Sequence, residues 1–466
     1  MMGLDTRALC EATGGELRAG LHRALGPVSI DTRTMASDAT FFCVRGPRFD
    51  GHSFADRAVH GGAGVVVSDG LGWVDLPESV TNGDVAVVVV SDTIDAIGHL
   101  AKAIRGLFKG PVVGLTGSSG KTTTKDMIDV VLSSAGSTLA TLGNLNNHLG
   151  VPLTLFRMEQ EHTHAVIEMG MNASGEIAHL ADVAQPSLGV VTTVGAAHLE
   201  GLGSIEAIAR AKGELLRSLD ADQLAIFPSD VSHLSVLTEG VSARRLTVGT
   251  QADDAIRLLD FEETELGARG TIVVDDVHHV LQLRLAGRYN LTNAMLALAV
   301  GRALGVSVAD GVTALEGMAP PSLRGEVRTL GDGTRFILDC YNANPQSMEE
   351  SLGAFIRRKP GSLVILGDML ELGPMADQLH RELGRTLATL DASLQLIAVG
   401  PLSRGLAESA VDAGLSQETT WWFEDAESAV DIVRTRLDAV DFVLLKGSRG
   451  MRLERIWDRL ESRGEN

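Results

Sequence analysis

The run Gly114-Leu115-Thr116-Gly117-Ser118-Ser119-Gly120-Lys121-Thr122-Thr123-Thr124 lies between a short apolar stretch, Val112 to Thr116, and a helical pattern, Lys121 to Ala135. Strand, glycine-rich turn and helix in that order are the setting of a phosphate loop. Glycines let the backbone curl until its N–H groups face phosphate oxygens, and the helix N-terminus adds unpaired donors and a favourable dipole. In such a loop Gly117, Ser118, Ser119, Gly120 and Thr123 cradle a nucleotide, Lys121 reaches the β and γ phosphates, and the Thr122 hydroxyl takes Mg²⁺. The match runs GxxGKT from Gly117, because Leu115 stands where the longer pattern has its first glycine. The plain alternative is a glycine-rich turn that opens a helix.

On either side of this loop strands and helices alternate, which implies parallel sheets covered by helices on both faces. With 466 residues, two or three domains are expected. Three α/β units are read: a small one over 1–91, a central phosphate-loop unit with a parallel sheet over 92–321, and a third α/β unit over 322–466. Ala319-Pro320-Pro321-Ser322 is the linker between the last two. In the central unit the strands are Ala165 to Met169 and Leu188 to Val194 beside Val112 to Thr116, and a long helix covers Asn290 to Leu304. In the third unit they are Phe336 to Leu338, Ser362 to Leu366, Leu394 to Val399 and Phe442 to Leu445.

Composition removes several classes of function. Asp and Glu total 60 against 40 Lys and Arg, a net charge of -20, and no basic run stands out, so no nucleic-acid partner is expected. The longest apolar stretches, such as Val85 to Val90, are far too short to span a bilayer, and no membrane insertion is expected. Cys10, Cys43 and Cys340 are too scattered for a zinc pattern or a disulfide framework, and reduced thiols in the cytoplasm are the expectation. Met1 to Glu16 carries early charges and no apolar core, unlike a signal peptide.

Five later features extend the phosphate loop. Glu168 ends a strand at the sheet's carboxyl edge, where α/β ligands bind, and its oxygens suit Mg²⁺; the alternative is a solvated strand-end carboxylate. His198 follows a strand toward the same edge, or is a solvated turn residue. Lys212 sits in Ala209-Arg210-Ala211-Lys212-Gly213-Glu214 and, taken alone, reads as a solvent-facing helix lysine. Asn290 and Asn293 are three apart on one helix face and can read a base edge, although Asn290 also fits an N-cap. Gly143-Asn144-Leu145-Asn146-Asn147 is a plain turn or a contact for a polar substrate.

These motifs resemble the Mur ligases of peptidoglycan synthesis over essentially the whole chain. The resemblance is carried by the phosphate loop, by Gly143 to Asn147, Ile167-Glu168-Met169-Gly170, Ala197-His198-Leu199-Glu200, Ala211-Lys212-Gly213-Glu214, Asp339-Cys340-Tyr341-Asn342-Ala343-Asn344-Pro345, Leu366-Gly367-Asp368-Met369 and Lys446-Gly447-Ser448-Arg449-Gly450. It implies an amide ligase that uses ATP and two Mg²⁺ ions, with a Rossmann-like C-terminal domain for the incoming amine. It implies Lys121, His198 and Lys212 as catalytic residues. Thr122, Glu168, His198 and a carbamylated Lys212 would serve the metals, and Asn290, Asn293, Arg324 and Asp339 the nucleotide. Thr32, Arg33, Asp50 and His52 in the first unit would handle a UDP-linked substrate, with Asn144, Asn146, Asn147, Asn342 and Asn344 also on substrate. The Tyr-Asn-Ala-Asn-Pro run resembles the members that join D-alanyl-D-alanine to UDP-N-acetylmuramoyl-tripeptide. A cytoplasmic monomer is expected. Departures from the family pattern include Thr193, where Asn is common, and Leu338 before Asp339.

Three rivals remain at this point: a ligase of the same architecture that adds a diamino acid, or glutamate to folate; a nucleotide switch; and a small-molecule kinase. Asn342-Ala343-Asn344-Pro345 speaks against the first, and the lack of an Asn-Lys-x-Asp guanine motif against the second.

Overall fold

Three sheets form along the chain, each from one of the alternating stretches; the computed structural model describes residues 3–47, 49–69, 84–197, 199–264 and 267–462. The first is five-stranded, in the order Glu16–Ala19, Ala86–Val89, Val65–Ser68, Thr40–Phe42, Val28–Ser29, parallel except at the Glu16–Ala19 edge. Its inner strands are valine runs buried on both faces, as a covered parallel sheet requires. The helix Thr93–Leu107 follows, capped by Asp92, whose carboxylate accepts from the N–H groups of Ile94 and Asp95. Its buried stripe of Ala96, Ile97, Leu100, Ala101 and Ile104 belongs to one core with Leu9 and Val88 on one side and Leu155 and Leu180 on the other. The first and central units are thereby packed together.

The central sheet has ten strands among the described residues. Thr138–Ala140, His164–Glu168, Val112–Thr116, Leu188–Val191, Leu224–Pro228, Arg244–Gly249 and Ile256–Leu258 run parallel in that spatial order. Alternate residues of each strand enter opposite cores, Val112 and Ile167 on one face and Val113, Leu115 and Val166 on the other. The helices Ile205–Arg217 and Glu176–Ala184 cover the first face, Lys121–Ser133 and Arg288–Ala303 the second. The expected parallel sheet is present, and Glu262–Glu263, Ala268–Val274 and Val277–Leu283 extend it antiparallel beyond Ile256–Leu258.

The third sheet runs Glu326–Thr329, Arg335–Asp339, Phe442–Lys446, Leu363–Gly367, Gln395–Val399, Thr420–Phe423 and is parallel except for its first strand. Register determines what reaches the edges. Leu115 pairs with Glu168, so the phosphate loop and the Glu168 carboxylate leave the central sheet side by side. Asp339 pairs with Lys446 at the matching edge of the third sheet.

Candidate active site

The loop after Val112–Thr116 has the backbone that phosphate binding demands. Gly120 has φ of 76°, a left-handed conformation that favours glycine. A Cβ on Gly117 would come within 1.8 Å of the Thr192 hydroxyl. The loop is braced from the neighbouring strand end: the Ser119 N–H donates to Thr193 Oγ1 at 2.9 Å and the Ser118 hydroxyl to the Gly195 carbonyl at 2.9 Å. Lys121 opens the helix, and its ammonium donates to the Gly117 carbonyl at 2.8 Å. Burial pulls Lys121 below the ordinary lysine range, while the Glu168 carboxylate opposes that shift.

Glu168 is only 1% exposed, so a bare carboxylate there must be satisfied. Its two oxygens accept from the Thr122 hydroxyl at 2.9 Å and the Asn146 amide at 2.8 Å. Lys212 is also 1% exposed. Burial, with Lys121 as a second cause, pushes it well below the ordinary lysine range. The solvent-facing reading of Lys212 is therefore corrected. Ile208, Lys212, Leu215 and Leu216 share the buried stripe of Ile205–Arg217, a spacing of four, seven and eight that was visible in the sequence.

From the third unit, Arg324 donates to the Thr122 hydroxyl at 2.9 Å and lies over the Tyr341 ring, 4.0 Å from its centre. Asn344 caps the helix Pro345–Arg358 through a reciprocal capping box with Ser347, and its amide also donates to the Ser118 carbonyl at 3.3 Å. Asp339 accepts from the Lys446 ammonium at 2.5 Å and from the Ser351 hydroxyl at 3.0 Å. Asn342 accepts from the Ala343 N–H at 2.9 Å.

Lys121, Thr122, Glu168, Arg324, Asp339, Asn344 and Lys446 line one cavity of about 1250 Å³ between the central and third units, whereas Lys212 is not among its lining residues. Asn290 and Asn293 line it as a buried pair, the Asn293 amide donating to Asn290 Oδ1 at 3.2 Å. Asn290 is not an N-cap: the helix begins at Arg288, Gly287 holds the cap position, and the Asn290 amide donates to the Ala286 carbonyl. Asn144, Asn146 and Asn147 also line the cavity. Asn147 accepts from the N–H groups of Leu149 and Gly150, so it shapes the start of the helix Gly150–Leu155.

The four residues expected in the first unit lie elsewhere. None of Thr32, Arg33, Asp50 and His52 lines this cavity. Arg33 pairs with Asp31. His52 bridges two carboxylates, with Nδ1 2.6 Å from Asp50 and Nε2 3.0 Å from Asp69. The His52 N–H and ring, with Arg45 beside them, hold Asp50 down at about 2. His198 lies outside the described residues.

Sequence reasoning gave no site role to Thr192, Tyr341, Glu371 or Lys446, all of which meet the loop or the cavity, although Tyr341 and Lys446 stand in the motifs that carry the resemblance. Lys446 carried a usable signal, a lone cation closing an apolar strand at a sheet's carboxyl edge. The donor set fits a magnesium nucleotide. Among the described residues no group of three His, Cys, Asp or Glu forms a protein cage. One carboxylate and one hydroxyl at a helix N-terminus are what Mg²⁺ shared with phosphates takes.

The Mur ligase middle-domain family matches residues 115–301, the Mur ligase glutamate ligase domain residues 323–449, and the Mur ligase catalytic-domain family residues 26–105. The chain is 35% identical over 92% of its length to the UDP-N-acetylmuramoyl-tripeptide–D-alanyl-D-alanine ligase of Bacillus subtilis, covering 92% of that protein. The crystal structure of MurF from Acinetobacter baumannii superposes with a TM-score of 0.89 at 30% identity, over 99% of this chain and all of that one. MurF from Thermotoga maritima in complex with ADP gives a TM-score of 0.81 at 29% identity, over 94% of this chain and 97% of that one.

Proposed function

The chain belongs to the Mur ligase family, and on that basis we propose that it is the ATP-dependent ligase that joins D-alanyl-D-alanine to UDP-N-acetylmuramoyl-tripeptide. The observation that carries the reading is the convergence of Arg324 and Asn344 from the third unit on Thr122 and Ser118 of the phosphate loop. A ligase must hold a nucleotide, a carboxylate and an amine together, and this cavity lies between the carboxyl edges of the central and third sheets.

A carboxylate is a poor acyl donor because its oxide cannot leave. Transfer of the γ-phosphoryl group of ATP to a carboxylate oxygen gives an acyl phosphate and ADP; attack by the neutral amine then forms the amide and releases phosphate. Positioning and charge neutralisation do most of this work. Lys121 sits to meet the β and γ phosphates, Arg324 to meet developing charge beside Thr122, and the Asn290–Asn293 pair to read the base. Asp339, fixed by Lys446 and Ser351, suits the nucleotide's sugar hydroxyls. Thr122 and Glu168, with His198, would hold the metals, and Mg²⁺ when bound supplies neutralisation of the clustered phosphate oxygens.

Lys212 joins that set as a carbamate. An ammonium would repel the metal, whereas burial favours the neutral amine that adds to carbon dioxide, forming an N–C bond and releasing one proton. The product offers the anionic oxygens a hard cation prefers. The first unit, with Thr32, Arg33, Asp50 and His52, takes the UDP end; the central unit takes ATP; the third takes the dipeptide. The reaction is read as cytoplasmic and the chain as a monomer. Among the described residues no helix is long and apolar enough to cross a membrane.

Purified chain with ATP, magnesium and UDP-N-acetylmuramoyl-tripeptide should convert D-alanyl-D-alanine to the pentapeptide product with one phosphate released per bond, read by mass spectrometry. Turnover with a free diamino acid but none with the dipeptide would move the assignment to a sister ligase, and a stable phosphoester in place of phosphate would make it a kinase.

A further inference from the structure

Lys125 stands one turn after Lys121 on the helix Lys121–Ser133 and is 5% exposed. An ammonium so buried has to be paired and hydrogen-bonded. Asp126 meets its charge at 2.6 Å, and it donates to the Thr141 carbonyl at 2.8 Å. Thr141 follows the strand Thr138–Ala140, which lies beside His164–Glu168 in the central sheet. Neither Lys125 nor Thr141 lines the cavity.

The ladder changes at the Thr141 carbonyl. If the parallel pairing ran on by one residue, the Thr141 N–H would donate to the Val166 carbonyl and the Glu168 N–H to the Thr141 carbonyl. The first bond is made, at 3.1 Å. In place of the second, the Glu168 N–H donates to the Thr141 hydroxyl at 3.0 Å, and the carbonyl accepts from Lys125. Thr141 is fully buried, so each of these groups needs the partner it has. The exchange turns the chain out of the sheet, and the next segment comes back over the strand end. There the Gly170 N–H donates to the Asn146 carbonyl at 2.8 Å, and the Asn146 amide donates to Glu168 Oε1 at 2.8 Å. A Cβ on Gly170 would lie 2.8 Å from Asn146 Oδ1, so the approach is close. The other Glu168 oxygen accepts from Thr122. Thr122 and Lys125 are three apart and share a helix face. One helix therefore both offers the Thr122 hydroxyl to Glu168 and holds the backbone that Glu168 is registered against.

We propose that Lys125 is a positioning residue for magnesium. By drawing the Thr141 carbonyl out of the ladder, it sets Asn146 and the Glu168 carboxylate at the spacing from Thr122 that the metal takes. This rests on the reading of Thr122 and Glu168 as metal holders. A plain staple between helix and strand would affect stability alone; a positioning residue affects metal affinity and leaves the nucleotide's own contacts as they are.

The test uses the full chain and two variants. Lys125→Met keeps the stem and removes the donors, and Thr141→Val keeps the shape and removes the hydroxyl. ADP binding is measured by calorimetry across a magnesium series and in EDTA. Magnesium should strengthen ADP binding to the wild-type chain. Each variant should need about tenfold more magnesium to reach half of that gain, the scale of losing one hydrogen bond that involves a charge. Binding in EDTA and KM for D-alanyl-D-alanine should stay at wild-type values. A lowered melting temperature with a wild-type magnesium series in Lys125→Met would make Lys125 a staple of the fold and overturn the inference. So would ADP binding weakened as much in EDTA as in magnesium, which would trace the effect to the phosphate loop. If Lys125→Met does not fold, Thr141→Val decides by the same two readings. Equal ADP binding with and without magnesium in the wild-type chain would sink the metal reading and this inference with it, a result no variant can produce.

Discussion

The Arg324 guanidinium donates to the Thr122 hydroxyl across 202 positions of sequence. It stacks on Tyr341 at the same time, so one side chain ties the segment before Glu326–Thr329 to the phosphate loop. Arg324→Ala should cut kcat/KM for ATP about 100-fold, the scale of losing one preorganised charge donor. Arg324→Lys should recover little, because an ammonium neither stacks nor forks. Steady-state kinetics at saturating tripeptide would check both.

Asn344 does two separable things, capping a helix and reaching Ser118. Asn344→Ser keeps an N-cap acceptor and loses the long amide donor, so its melting temperature should stay near wild type while KM for ATP rises several-fold. Asn344→Ala should add a stability loss of about 1 kcal/mol from the missing cap. Equal stability losses in the two variants would contradict this division.

Lys212 gives a pH prediction. Its folded pKa lies well below the ordinary 10.5. Between those two values the unfolded chain therefore binds one more proton than the folded chain, and stability rises with pH across that window. In buffer freed of carbon dioxide, Lys212→Met should remove this dependence and raise the melting temperature near neutrality. In buffer containing bicarbonate it should also lower the ligation rate at least about 100-fold. Normal ligation by Lys212→Ala at low bicarbonate would remove the carbamate.

Lys446 and Asp339 are paired at the third sheet's edge, with side chains 3% and 19% exposed. Removing one partner of a fully buried pair costs about 3–5 kcal/mol, and the partial exposure of Asp339 reduces that to about 2–3 kcal/mol for Lys446→Met. The urea midpoint should fall, and adding Asp339→Asn should restore much of it.

Much of this was legible where local chemistry and fold agree. Val112–Thr116 and the helix start at Lys121 were read within a residue or two, because a glycine turn between an apolar run and a helical pattern leaves little choice. The antiparallel addition Ala268–Val274 and Val277–Leu283 was not read. Its outer strand alternates weakly, with His278 and His279 adjacent, so the period-two signal is faint. The alternative reading of Asn290 as an N-cap failed because the helix starts two residues earlier, and helix ends are the least determined part of any pattern. Contacts between units were beyond the sequence altogether: nothing local in Asn344 points to Ser118, and nothing in the loop after Gly367 announces that Glu371 meets the field of Lys121.

The acyl phosphate is tested most directly by isotope. If the tripeptide carboxylate carries ¹⁸O, one of its oxygens must leave with phosphate when the amide forms. Mass spectrometry of the released phosphate should therefore find one ¹⁸O per D-alanyl-D-alanine joined. Unlabelled phosphate accompanying a normal yield of pentapeptide product would contradict the account.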